Sequence, residues 1–313
     1  MLIRADVLLI AVGFLLAGSV FGGPDDRKSG YQFIEGFSHT TIPFQKYQDL
    51  IVIQVQMNDS IKLNLILDTG TRSMLLYGKK FRKLQNLRRD KRVKVTGWGS
   101  SRSLDANLSY PNTINLGEIR GDLVGIAVVD NGRMLADAPT IDGIIGYELF
   151  VRFAVEINYK TRTIHLYDHL PNGHTDGFTV LPLEVNYARP QIVSQITMMN
   201  NKTVTLKLLI DTGSSLGLTV FSANRDGFFA SETLSPIGRG LTGIVHGYEL
   251  FVKEFMLGDL EVKGVPTHLV DVTSHPDQQF TFSGSLGASF LRNHVVIFDY
   301  PRSSFFIGKA SRG

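Results

Sequence analysis

Short apolar runs set the pattern of this chain. Leu50-Ile51-Val52-Ile53, Val93-Lys94-Val95, Gly125-Ile126-Ala127-Val128-Val129, Ile164-His165-Leu166-Tyr167, the run from Ile192 to Met198 and His294-Val295-Val296-Ile297 are rich in β-branched and aromatic residues. Gly, Asn, Asp or Pro bounds them, as half-buried strands require. Thirty-one glycines suit many tight turns and bulges. Helix is expected only over Lys79–Leu87 and in short turns near Glu148–Phe153 and Ser289–Asn293. The pattern predicts an all-β chain of two similar barrel-like lobes.

Two of the apolar runs stop at the same tripeptide. Leu63-Asn64-Leu65-Ile66-Leu67 leads into Asp68-Thr69-Gly70, and Leu206-Lys207-Leu208-Leu209-Ile210 leads into Asp211-Thr212-Gly213. A hydroxyl residue follows each, Thr71 and Ser214. The two Asp residues lie 211 − 68 = 143 positions apart, and the features after them recur in the same order. Leu116-Gly117-Glu118-Ile119 answers to Leu257-Gly258-Asp259-Leu260, Asp142-Gly143-Ile144-Ile145-Gly146 to Ser283-Gly284-Ser285-Leu286-Gly287, and Glu156-Ile157-Asn158-Tyr159 to Ile297-Phe298-Asp299-Tyr300. The later pairs are offset by 284 − 143 = 141. A period this long marks a duplicated domain, because solenoid units are much shorter. A chain of 313 residues also has room for about two domains, each able to bury a core. The expected division is 1–22 as a signal peptide, 23–170 as an N-terminal lobe, 171–177 as a polar, turn-forming linker and 178–313 as a C-terminal lobe.

An Asp at the end of an apolar strand sits half in the core and half at an opening. Two such carboxyls brought together from two halves cannot both ionise easily, so one keeps a proton while the other acts as a base. On these repeated tripeptides the chain resembles the pepsin-like, two-lobed, bacterial-type aspartic peptidases, over nearly everything after the leader. The resemblance implies an aspartic endopeptidase in which Asp68 and Asp211 activate water for attack on an amide, with no covalent intermediate, no metal and no cofactor. It implies that Thr69 and Thr212 send their hydroxyls across to the opposite lobe. Gly70 and Gly213 would bring amide donors to the carboxylates, and Thr71 and Ser214 would bond their outer oxygens. Ile144-Ile145-Gly146 and Leu286-Gly287 would pack beneath the two loops, with Ser285 standing where an apolar residue is expected. Gly97-Trp98-Gly99 falls where such enzymes carry a flap over the substrate; the same residues also suit a packed turn. Arg72 departs from the family's small residue, and a guanidinium facing the site would favour ionised Asp68 and a substrate that carries a carboxylate. A catalytically silent module of the same fold that binds peptide or glycan is the alternative.

Composition narrows the setting. Met1-Leu2-Ile3-Arg4, an uncharged run from Val7 to Phe21 and Gly22-Gly23-Pro24 describe a signal peptide, shorter than the ~20 residues that span a bilayer. Secretion, or release to a bacterial periplasm, is therefore expected, with membrane attachment only if the leader stays uncleaved. The absence of Cys excludes a thiol nucleophile, a lipid-modified Cys and Cys-based metal sites. Eight His residues show no ligand spacing. The basic run through Lys79-Lys80, Arg82-Lys83 and Arg88-Arg89-Asp90-Lys91-Arg92 lacks interleaved aromatics, so no nucleic acid is expected. The expected partner is a peptide or protein substrate, and the expected state a monomer.

Overall fold

The computed structural model describes residues 8–9, 13–15, 30–84, 87–89, 91–100, 102–130, 140–221, 233–272 and 280–309. The expected signal peptide 1–22 lies outside the described residues apart from the backbone at 8–9 and 13–15.

The chain is all-β, with α-helix only at Tyr147–Phe150 and Ala288–Leu291 among the described residues. Its alternation is legible strand by strand. Leu50–Met57 buries Ile51, Ile53, Val55 and Met57 on one face and exposes Gln54 and Gln56 on the other. It turns back through Asn58 and Asp59, both left-handed (φ 48° and 57°), the conformation that tight hairpins demand and that Asn and Asp tolerate. The partner strand, Ile61–Leu67, becomes buried on both faces as it nears Asp68, because it enters the middle of a sheet.

Two sheets follow one plan. In the first, the strand order is Lys91–Thr96, Leu104–Leu116, Ile119–Val129, Leu75–Tyr77, Gly143–Ile145, Ile61–Leu67, Leu50–Met57, Gln45–Tyr47. In the second it is Ser235–Gly240, Ile244–Leu257, Leu260–Val270, Leu218–Phe221, Gly284–Gly287, Thr203–Asp211, Arg189–Thr197, Glu184–Asn186. Each strand that ends at an Asp pairs in parallel with a Gly-containing strand, Leu67 with Ile145 and Ile210 with Leu286. The matched Leu-Gly tetrapeptides are hairpin turns with left-handed Gly117 and Gly258.

A third sheet joins the two. Its central pair is Ala154–Asn158 against His294–Asp299, and its outer strands are His39–Pro43 and Thr179–Pro182. The largest buried cluster runs continuously from Tyr31 to Ile307 across both halves, so the two are packed as one body.

The expected helix over Lys79–Leu87 is a 3-10 turn, Lys79–Lys83, closed by extended Leu84. Its first turn has no acidic residue and no side-chain cap, so nothing offsets the basic side chains that crowd it. The other two expected turns fall one residue early, at Tyr147–Phe150 and Ala288–Leu291.

Candidate active site

The structure brings the two Asp-Thr-Gly loops together at the centre of the molecule. Asp68, Thr69, Asp211 and Thr212 are all buried. Thr69 donates its hydroxyl to Ile210 O at 2.6 Å, and Thr212 donates its own to Leu67 O at 2.8 Å. Each hydroxyl oxygen also accepts the other threonine's amide, at 3.0 and 3.1 Å. Four buried polar backbone groups are thus satisfied by two side chains, each belonging to the opposite half.

This lock fixes the carboxyls. Gly70 N donates to Asp68 Oδ1 at 2.7 Å and Gly213 N to Asp211 Oδ1 at 3.0 Å. Glycine is needed here for space. A Cβ on Gly213 would lie 2.2 Å from Asp68 Cγ, and one on Gly70 would stand 3.1 Å from an oxygen of each Asp.

Burial, then the neighbouring Asp211, pushes Asp68 well above the usual carboxylate range, against the pull of the Gly70 amide. Burial likewise lifts Asp211 to about 7, opposed by the Gly213 amide, a hydrogen bond from Asp68 and the Arg189 cation. Burial and mutual repulsion thus favour a pair that carries a single proton between its two carboxyls. Asp68 Oδ2 has no protein donor, which suits an oxygen whose hydrogen bond depends on the proton that the pair shares.

Three expectations are corrected. The Thr71 hydroxyl donates to Ser73 O at 3.2 Å, and the Ser214 hydroxyl accepts Leu216 N at 3.3 Å; both hold the loop that follows the motif and neither bonds a carboxylate. Arg72 is exposed and does not act on Asp68. The cation that does is Arg189, whose Nε reaches Gly70 O at 3.4 Å from the start of strand Arg189–Thr197. Its counterpart in the first half is Leu50, as the pairings Asn186–Arg189 and Tyr47–Leu50 show, so the repeat carried no sign of it.

Trp98 is buried, stacked on Phe280 at 5.3 Å between centroids and tilted against Phe221 at 5.4 Å. The Gly97-Trp98-Gly99 turn thus packs on the second half, and it meets the matching turn there. Thr242 N donates to Trp98 O at 3.0 Å, Ser100 N donates to Thr242 Oγ1 at 3.0 Å, and Ser100 Oγ donates to Thr242 O at 3.2 Å. Gly99 is left-handed (φ 116°), and any Cβ on it would strike the Gly243 backbone at 2.3 Å. Trp98, Phe221 and Phe282 wall a small pocket that Asp211, Thr219 and Ser285 also line. Ser285 is accommodated there by a 2.7 Å bond to Thr219; the paired positions in the first half are the apolar Ile144 and Leu75.

An all-β fold carries two interlocked Asp-Thr-Gly loops here, and part of it is similar to a known family. Residues 53–149 match the aspartyl protease family model, a stretch that holds the first tripeptide and the segment Asp142–Gly146 beside it. The comparison with curated proteins gives no match.

Proposed function

We propose that the chain is a two-lobed, pepsin-like aspartic endopeptidase with its cleft between two duplicated lobes, exported by means of residues 1–22 and divided by the linker at 171–177. Asp68 and Asp211 are its catalytic pair. The observation that carries this reading is the reciprocal Thr69–Thr212 lock, which holds two buried carboxyls where they share one proton.

In the single-proton pair the ionised carboxyl, written here as Asp211, takes a proton from water as the water attacks the scissile carbonyl. Asp68 gives its proton to the carbonyl oxygen, and return of a proton to the amine completes cleavage. The lock removes the need to bring the two carboxyls together during reaction. Trp98 and the Thr242 turn act as a two-sided cover, Gly99 and Gly243 leaving room for the tips to part. Secretion or periplasmic release, action as a monomer and a peptide or protein substrate complete the proposal.

The test is cleavage of a quenched peptide library across pH. Cleavage that is blocked by statine-type transition-state mimics, unaffected by chelators and abolished in Asp68→Asn and Asp211→Asn supports the reading. Full activity in either variant overturns it.

A further inference from the structure

Arg189, beside the carboxyl pair, and Arg72, exposed on the loop that follows Gly70, lack the carboxylate partners that other arginines of this chain find. Arg292 pairs with Asp49 at 2.8 Å and Arg302 with Asp299 at 3.2 Å. Arg189 makes a single hydrogen bond, from Nε to Gly70 O, and no ion pair among the described residues. Arg72, two positions past Gly70, makes neither among the described residues. The two cations lie close enough to repel one another. Arg189 is also only partly exposed, and a desolvated charge is costly unless an anion compensates it. The carboxyl pair in its single-proton form supplies one negative charge against these two positive ones.

We propose that Arg189 and Arg72 receive a carboxylate of the substrate, so that the enzyme cuts peptide bonds near an acidic group. This rests on the peptidase reading above. Arg189 presents its two Nη groups as free donors in a planar fork, the geometry that grips a carboxylate at two points. Gly70 O, which Arg189 already holds, ties that fork to the loop bearing Asp68. Arg72 adds a solvent-facing second charge that draws the anion in. The carboxylate has two possible sources, an Asp or Glu side chain or the free C-terminus of a short peptide.

The experiment uses the full chain and one peptide scaffold made in four forms. Glu and Gln replace each other at every position within four residues of the bond, and each peptide ends as a free acid or an amide. Hydrolysis is read as kcat/KM, and binding is read separately with the same peptides carrying a statine at the cleavage position. The expected result is a Glu-over-Gln or acid-over-amide preference of about tenfold or more at one position, the size of a charge-assisted contact. Whether Glu or the free terminus carries the preference identifies the source. Arg72→Gln and Arg189→Gln should each bring that ratio, taken within one variant, close to unity. Peptides cleaved with equal rates for all four forms, a preference that survives both substitutions, or statine peptides bound equally or not at all would overturn the proposal. Tight, charge-selective binding without any hydrolysis would uphold the arginine site while refuting the peptidase reading.

Discussion

Replacing Thr212 by Val changes the shape of one buried side chain very little and removes two hydrogen bonds at once. The hydroxyl donates to Leu67 O at 2.8 Å and accepts from Thr69 N at 3.1 Å. Both orphaned groups lie in a site that water does not reach while the halves are closed. A buried polar group stripped of its partner costs roughly 1–3 kcal/mol, so two give about 2–6 kcal/mol. Thr69→Val orphans a different pair, Ile210 O and Thr212 N. The two hydroxyls also touch each other at 3.5 Å in the same network, so the double variant should depart from the sum of the singles by roughly 0.5–3 kcal/mol.

Thr71→Val is the internal control. Its hydroxyl donates only to Ser73 O, and about 1 kcal/mol is expected. The assay is urea unfolding followed by far-UV circular dichroism, with peptide hydrolysis measured on the same samples. For a chain of this size each kcal/mol moves Tm by about 2 °C, so each lock variant should lose roughly 5–10 °C. Activity should fall further than stability, because the carboxyls would no longer be held in register. A loss under about 0.5 kcal/mol in Thr212→Val would mean that water satisfies these groups and that the two halves are not locked at this point.

Four further outcomes follow from the same geometry. Asp68→Asn and Asp211→Asn should each abolish hydrolysis, and the double variant should be no worse than either, because the pair acts as a unit. With burial lifting Asp211 to about 7 and Asp68 raised as well, the single-proton form grows in as pH approaches neutrality, so activity should rise along an acid limb there; neutralising Arg189 with Met removes a cation that favours the ionised pair and should move that limb to higher pH. A carboxyl raised by folding contributes stability below its unfolded value, near 4, and loses it as pH climbs through the folded value; Asp211→Asn, and Glu148→Gln at another buried carboxyl lifted to about 7, should thus be more stable than the parent at pH 8 by up to roughly 4 kcal/mol and not at pH 4. Trp98 is the chain's one tryptophan, so its emission reports the paired turns alone; Thr242→Val, which removes the hydroxyl that accepts Ser100 N and lies within hydrogen-bond distance of the Gly97, Trp98 and Ser100 carbonyls, should shift emission to the red and increase acrylamide quenching, and an unchanged spectrum would refute the clasp.

What the sequence made legible is what the two halves share. Asp68 and Asp211, the threonines beside them and the Gly segments beneath could be read because each appears twice in the same order, and the matched strand orders follow from the same agreement. The particulars of the site lie where the halves disagree, and there pattern reading had nothing to compare. Arg189 stands at the place of Leu50, and the hydroxyl pair Thr219–Ser285 at the place of Leu75 and Ile144. Arg72 drew attention through its distance along the chain from Gly70, whereas Arg189 reaches the same carbonyl from 119 positions away. The roles given to Thr71 and Ser214 failed for a related reason: residue type fixed that they would hydrogen-bond, and only the path of the loop decided with what. A symmetric pair of carboxyls can in principle exchange acid and base. Arg189 lowers both members of the pair, so what tells them apart is their other neighbours: Asp68 donates to Asp211, and Asp211 also accepts from the Gly213 and Ser214 amides. Arg189, which stands where the first half has Leu50, also makes no ion pair among the described residues. The repeated residues thus build the lock around the carboxyl pair, and the departures from the repeat place a cation and a hydroxyl pair beside it.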